Sequence, residues 1–261
     1  MRITPPIGTV KSAPSPSAIK ETSKASEESL NLDNFLSETF QKAIPQYLQE
    51  CPKKILKLKG RGKKVPFVPF AVFQGIKNKE SRIKGNRFLK RDFKAVEVEL
   101  PDTVAQIAQT MGGIASLAVR GMANEYGLAL YYGEKGGLRA TVQRGGWLVT
   151  SVIPEPMIQF PDGESAYLLG LLSHTHPSGA PNPSSADFKA QSVYINSPTS
   201  ELRYGVLSVP GGSWSFYDDR EAHKLSPELA EQLPLEALFE PYWKSDEFKE
   251  LREKLSESEQ A

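Results

Sequence analysis

Three observations predict an α/β fold in which one mixed β-sheet is flanked by helices. A wide apolar stripe at helical spacing fills residues 101–122, short apolar runs of strand length follow it, and a second helical segment over 184–195 separates two of those runs. Around this centre the chain divides into four stretches. Residues 1–32 are a Ser-, Pro- and Lys-rich arm, 33–95 a short helix plus a basic segment, 96–220 the α/β domain, and 221–261 an acidic helical tail. The 261 residues are 39% hydrophobic and 24% charged, which excludes disorder across the whole chain. No apolar run approaches the roughly 18 residues that a membrane span needs. The opening residues lack the apolar core of a secretory signal, so a cytoplasmic location is expected, with export by a specialised secretion system left open. The single cysteine, Cys51, excludes an internal disulfide framework and any multi-cysteine zinc site.

Taken in order, the arm over 1–32 carries no sustained apolar period, cannot bury enough surface to offset the entropy of ordering, and is expected to be disordered. From Asp33 the pattern changes. Leu36, Phe40, Ile44 and Leu48 recur every fourth residue and predict a short helix that ends by Pro52, with Pro45 a potential kink. Between Cys51 and Lys94 there are fifteen Lys and Arg against two acids. The same stretch holds the strand-like run KKVPFVPFAVF over 63–73. This block is a surface for nucleic acid or another polyanion, a solvated face, or a face complementary to the acidic tail; no nucleic-acid signature accompanies the charge. In the helix over 101–122, Val104, Ile107, Ala108, Met111, Ile114, Ala115, Leu117, Ala118 and Met122 form the stripe, Asp102 and Thr103 are candidate caps, and Gly112-Gly113 marks close packing or a kink.

Strands are predicted over 126–132, 138–143, 147–153 and 167–175, with turn signals at Gly136-Gly137 and Gly145-Gly146. After the helix over 184–195 come strands over 203–209 and 213–217, joined through Pro210-Gly211-Gly212 as a hairpin. The last 41 residues hold eleven acids and five Lys/Arg, with two helical pieces separated by Pro234 and an exposed helix at the end.

The chain has three histidines, and two of them, His174 and His176, close an apolar strand in LLSHTHPSGAPNPSSAD. Residues two apart on a strand point to one face, so both imidazoles reach one point. Asp187, eleven residues after His176, opens the following helix, and the intervening Pro/Gly-rich loop can fold its carboxylate back beside the rings. Two His and one Asp make the three-ligand shell of a catalytic zinc with a fourth position open. Taken singly these features are ordinary: His-x-His is common on surface strands, and Ser184-x-x-Asp187 is also a helix capping box. Their conjunction in one loop beneath an apolar strand points to a metal site.

This segment resembles the JAMM motif of the JAB/MPN+ metallopeptidase family, His-x-His-Pro-x6-Ser-x2-Asp, and matches it at every specified position. The family motif also has an upstream glutamate on the strand after the first helix, where this chain has Asn124-Glu125-Tyr126-Gly127; small prokaryotic JAB domains look similar there. The RadC-like branch has a closely similar His-x-His-Pro-Ser-Gly loop. The resemblance spans residues 101–217 and does not extend to the basic block or the tail. It implies a layered JAB/MPN fold related to that of cytidine deaminases, and a Zn2+ cofactor held by His174, His176 and Asp187. It further implies that Glu125 is the general base and proton shuttle, and that Ser184 donates a hydrogen bond to the oxyanion of a tetrahedral intermediate. These roles are chemically coherent, since zinc lowers the pKa of a water to about 7 and an adjacent carboxylate can take its proton. Glu134, Glu155 and Glu164 compete for the base: the first two read as exposed loop residues, and Glu164 lies at the far end of the histidine strand.

Other zinc chemistries are disfavoured. There is no His-Glu-x-x-His, and the deaminase pair His-x-Glu and Pro-Cys-x-x-Cys is missing. A Cys51/His223 nucleophile pair has nothing beyond its existence to support it. The expectation is therefore a zinc hydrolase of peptide or isopeptide bonds acting on a protein or peptide, with ubiquitin-like proteins, a peptide precursor and a toxin role all open. The contrasting class is a non-catalytic MPN-type binding module whose basic segment engages nucleic acid or another polyanion. The complete ligand set favours the enzyme.

Overall fold

The computed structural model describes residues 35–36, 38–50, 55–58, 67, 95–119, 125–145, 152–197, 199–246 and 248–251. The arm over 1–32 lies outside them, as does most of the basic segment, Cys51 included. Residues 32–261 form one compact unit.

Helix α1 (Glu38–Glu50) runs without interruption past Pro45 and buries Leu36, just ahead of it, and Phe40 in the main core. Strand β1 (Ile55–Lys57) lies within the basic block, and strand β2 (Ala95–Val98) follows it. Of the run over 63–73 only Phe67 is described; it is buried in the core and is not in a strand. Helix α2 (Val104–Val119) begins later than its sequence stripe and continues through Gly112-Gly113, and the end expected over 120–122 lies outside the described residues. Thr103 is its cap, accepting from the backbone N–H of Gln106 at 3.1 Å, while Gln106 accepts from the N–H of Asp102.

The strands that follow are β3 (Tyr126–Gly133), β4 (Leu138–Arg144), β5 (Met157–Gln159) and β6 (Ser165–Thr175). Then come α3 (Ser185–Ile195), β7 (Gly205–Ser208), β8 (Trp214–Tyr217), β9 (Ala222–His223) and α4 (Pro227–Gln232), and two 3-10 turns over 235–238 and 240–244. Among the described residues nine strands join one mixed sheet, ordered β2-β4-β3-β6-β7-β8-β9, with β5 pairing part of β6 and β1 pairing β5. Most pairs are antiparallel; β1–β5 and β6–β7 are parallel. Gly136 and Gly137, at φ 88° and 93°, turn the β3–β4 hairpin, and Gly211 and Gly212, at 92° and 93°, turn β7–β8, conformations that favour residues lacking Cβ. The strand expected over 147–153 falls mostly outside the described residues; Val152 and Ile153 are not in a strand, and β5 is one that the sequence reading does not contain.

β3 is buried on both faces. Leu128 and Leu130 join α2 in the larger core, while Ala129 and Tyr131 pack with Ile158, Phe160 and Ala166 on the other side. The stretch set apart as an acidic tail belongs to the larger core, to which Leu233, Leu235, Leu238, Phe239 and Tyr242 contribute. It is also bonded into the domain: Val104 donates to the carbonyl of Leu233 at 2.9 Å, and Leu235 to that of Asp102 at 3.0 Å. The acids that dominate its composition lie between these apolar anchors, so charge counting hides the buried face. Even the terminal stretch read as an exposed helix packs Phe248 and Leu251 against this core.

Candidate metal centre

β6 delivers His174 near its end and His176 one residue beyond, 4% and 9% exposed. The neighbouring strand fixes where they start. Gly127 faces His174 across the β3–β6 ladder, and Thr175 Oγ1 accepts from the Tyr126 N–H at 2.9 Å. Register irregularities at Leu128/Ala129 and Leu130/Tyr131 insert extra residues into β6 just before the histidines, a device that re-aims side chains at functional ends of sheets.

The loop from Pro177 to Pro183 turns at Gly179 (φ 80°), whose N–H donates to the His176 carbonyl at 3.1 Å, and it is tied to β8 by Ser215 Oγ donating to the Pro181 carbonyl at 2.6 Å. Ser184 then caps α3. Its Oγ accepts from the Asp187 N–H at 3.3 Å, and its own N–H donates to Asp187 Oδ2 at 2.6 Å, a complete capping box. That box holds the Asp187 carboxylate where the two imidazoles can reach it, so capping and ligand placement are one arrangement. His174 Nε2 and His176 Nε2 are 3.2 Å apart, and they lie 3.2 Å from Asp187 Oδ1 and 3.3 Å from Oδ2 respectively. Among the described residues these three form the one group of His, Cys, Asp and Glu able to hold a metal ion.

The protons explain why a cation suits this place. His176 Nδ1 lies 3.2 Å from the carbonyl oxygen of Ala180, which can only accept, so Nδ1 carries the hydrogen and a neutral ring presents a bare Nε2. That lone pair, His174 Nε2 and the Asp187 carboxylate face one another, an arrangement suited to an added proton or a metal ion between them. Burial works against the charge on Asp187, but hydrogen bonds from both histidines, the charge of His174 and the bond from Ser184 hold its carboxyl well below the usual range. Burial lowers the His176 pKa, and Asp187, the Ala180 carbonyl and the charge of Glu125 together raise it above its ordinary value. The spacing also fits a metal: bonds of about 2.0–2.1 Å in a tetrahedron imply ligand separations of about 3.3–3.4 Å.

Glu125 is buried at the mouth of β3, and its carbonyl accepts from the Gly145 N–H at 2.8 Å. Continuing the β3–β6 register sets it across from His176, and its charge is felt there, yet it is not one of the converging ligands. Of the competing glutamates, Glu164 and Glu134 have their carboxylates engaged elsewhere. Glu164 accepts from Arg139 at 2.8 Å and from the Lys135 N–H at 3.0 Å, within a group that also contains Glu97 and Asp162. Exposed Glu134 accepts from the Tyr167 hydroxyl at 2.9 Å, and half-buried Glu155 offers its carbonyl to Tyr131. His223 is paired with Asp218 at 3.0 Å. Burial raises the Asp218 pKa, but backbone N–H groups and His223 outweigh it and hold that carboxyl low.

Sequence reasoning did not find Tyr217, whose hydroxyl lies 3.3 Å from His174 Nδ1, nor the Ala180 carbonyl on His176. Neither has a local signal, because strand register and loop closure bring them there.

The class that fold and site define is thus a mixed α/β domain with a buried His-His-Asp group suited to a metal ion. Comparison of the chain with family models, with curated proteins and with solved structures finds no match. Among the described residues no helix is long and apolar enough to cross a membrane.

Proposed function

We propose that this chain is a zinc-dependent hydrolase of peptide or isopeptide bonds, with a JAMM-type site on a JAB/MPN-like domain akin to the prokaryotic, RadC-like branch. The observation that carries this reading is the convergence of the His174 and His176 ring nitrogens on the Asp187 carboxylate, with Glu125 across from His176 without joining the ligand set. Two imidazoles and one carboxylate suit zinc better than the oxygen-rich sets of calcium or magnesium. A zinc ion there supplies Lewis acidity and brings the pKa of a water down towards 7. Glu125 takes the proton from the attacking water and returns it to the leaving nitrogen. The Ser184 oxygen accepts from the Asp187 N–H, and its hydroxyl hydrogen, which supports the Asp187 carboxylate, turns to the substrate oxyanion. The substrate is a protein or peptide, with ubiquitin-like conjugates as one class to test.

Metal analysis of purified protein, alongside cleavage profiling on peptide libraries and isopeptide-linked conjugates, tests this. About one zinc per chain is expected, lost in the His174→Ala/His176→Ala double variant. Equal zinc in both proteins would remove the site. Iron on the same ligands would redirect the chemistry away from hydrolysis.

A further inference from the structure

We infer that Tyr217 is a positioning residue for the metal centre: its hydroxyl accepts the Nδ1 hydrogen of His174 and thereby presents that ring's Nε2 lone pair to the ion. The inference rests on the metal reading above and extends it to a residue outside the motif.

Tyr217 ends β8, two strands away from β6, and reaches His174 across β7. The crossing is possible because its register partner on β7 is Gly205. A Cβ at Gly205 would lie 2.8 Å from Tyr217 Cζ and 2.9 Å from its Oη, so the ring occupies the space a side chain would fill. The ring is 3% exposed and is held edge-on from two directions. His174 meets it at a centroid distance of 6.0 Å and an interplanar angle of 84°, and Phe188 at 6.0 Å and 85°. Phe188 directly follows Asp187. One buried ring therefore touches the strand that carries His174 and the helix turn that carries Asp187, and its hydroxyl meets the nitrogen that decides the tautomer of His174. A histidine that binds a metal through Nε2 must keep its hydrogen on Nδ1, and an acceptor at Nδ1 selects that form and orients the ring. His176 has the Ala180 carbonyl for the same purpose, so each ring has its own Nδ1 partner.

Tyr217→Phe retains the ring and removes only the hydroxyl. In full-length protein, chelator competition should report zinc affinity lower by about tenfold or more, the range for loss of a ligand's outer hydrogen bond. Tyr204→Phe, which alters a ring stacked on Phe216, should keep wild-type affinity. Gly205→Ala, which displaces the Tyr217 ring, should reproduce the Tyr217→Phe loss. In zinc-loaded wild type, proton–nitrogen correlation should show the His174 N–H on Nδ1, protected from exchange; this measurement needs no variant to fold. Equal affinity in wild type and Tyr217→Phe, an equal loss in Tyr204→Phe, or a His174 Nδ1 without a protected hydrogen would overturn the inference while leaving the metal centre standing. Wild-type protein that takes up no zinc would overturn both.

Discussion

At the opposite end of β6 from the histidines, Glu164 accepts from the Arg139 guanidinium and a backbone N–H, while Arg139 stacks over Phe160 with its Cζ 3.6 Å from the ring centroid. Glu164 is thus a structural anion, whereas Glu125 is buried beside His176. Glu125→Gln is expected to keep its metal and its melting temperature while hydrolysis falls about 10²-fold or more, the scale of general acid–base catalysis. Glu164→Gln should show the reverse pattern, with activity per folded molecule nearly intact and stability lower by about 1–3 kcal/mol from a weakened partly buried ion pair. Steady-state rates and thermal melts on the two variants separate the roles; exchanged phenotypes would make Glu164 the base. Ser184 caps α3, and the proposed function gives it a second, separable duty. Ser184→Ala should cost about 1 kcal/mol through the lost helix cap. If its hydroxyl also meets the oxyanion, activity per bound zinc should drop a further 10²-fold or so. Normalising rate to metal content distinguishes them, because a cap alone affects occupancy and not turnover per ion.

Among the elements, β3 and β6 determine where the site lies, and Gly127 is a close point of packing between them. A Cβ there would come within 2.7 Å of both Leu171 Cδ1 and Val152 Cγ1. Gly127→Ala should therefore force the backbone of β3 outward, lowering stability by about 1–3 kcal/mol as overpacking does and shifting Glu125 along with it. A melt as stable as wild type would show that Leu171 and Val152 can yield. Much of this architecture is legible in the sequence. β3, β4 and β6 follow from apolar runs between Gly-Gly turns, α2 from its stripe, α3 from Ser184 and Asp187, and the β7–β8 hairpin from Pro210-Gly211-Gly212. The ligands are legible for a local reason, since a strand end and the next helix start lie within fourteen residues, His174 to Asp187. What escapes is non-local. Three residues of β5 are too few for periodicity, the bulges in β6 exist only relative to β3, and Tyr217 meets His174 through register across β7. The acidic surface of the last segment conceals that Leu233, Leu238 and Phe239 are core.

Over the molecule as a whole, stability should fall at alkaline pH. Burial pushes the half-buried Tyr194 phenol up to about 12, and raises Tyr126 as well, with Arg144 opposing it in part. An unfolded tyrosine ionises near 10, so the folded state holds its proton more tightly. The contribution is full below about pH 10 and is lost as pH rises towards 12. For Tyr194 it is on the order of 1 kcal/mol, allowing for solvent contact. Urea midpoints across this range should decline more steeply for wild type than for Tyr194→Phe; parallel declines would show that the phenol titrates freely. Removing residues 221–261 would not isolate the effect of their charge, because it opens the core.

The bonds between the start of α2 and the Leu233–Leu235 stretch also carry a consequence for synthesis. On the ribosome, chain emerges from its N-terminus. The first N–H of α2 waits for a carbonyl made about 130 residues later, whereas His174, His176 and Asp187 leave the exit tunnel well before it. The candidate ligands are therefore exposed on an unclosed nascent chain, and a ribosome that stalls after Asp187 has emerged but before residue 233 is added presents a chain with these side chains but without its lock.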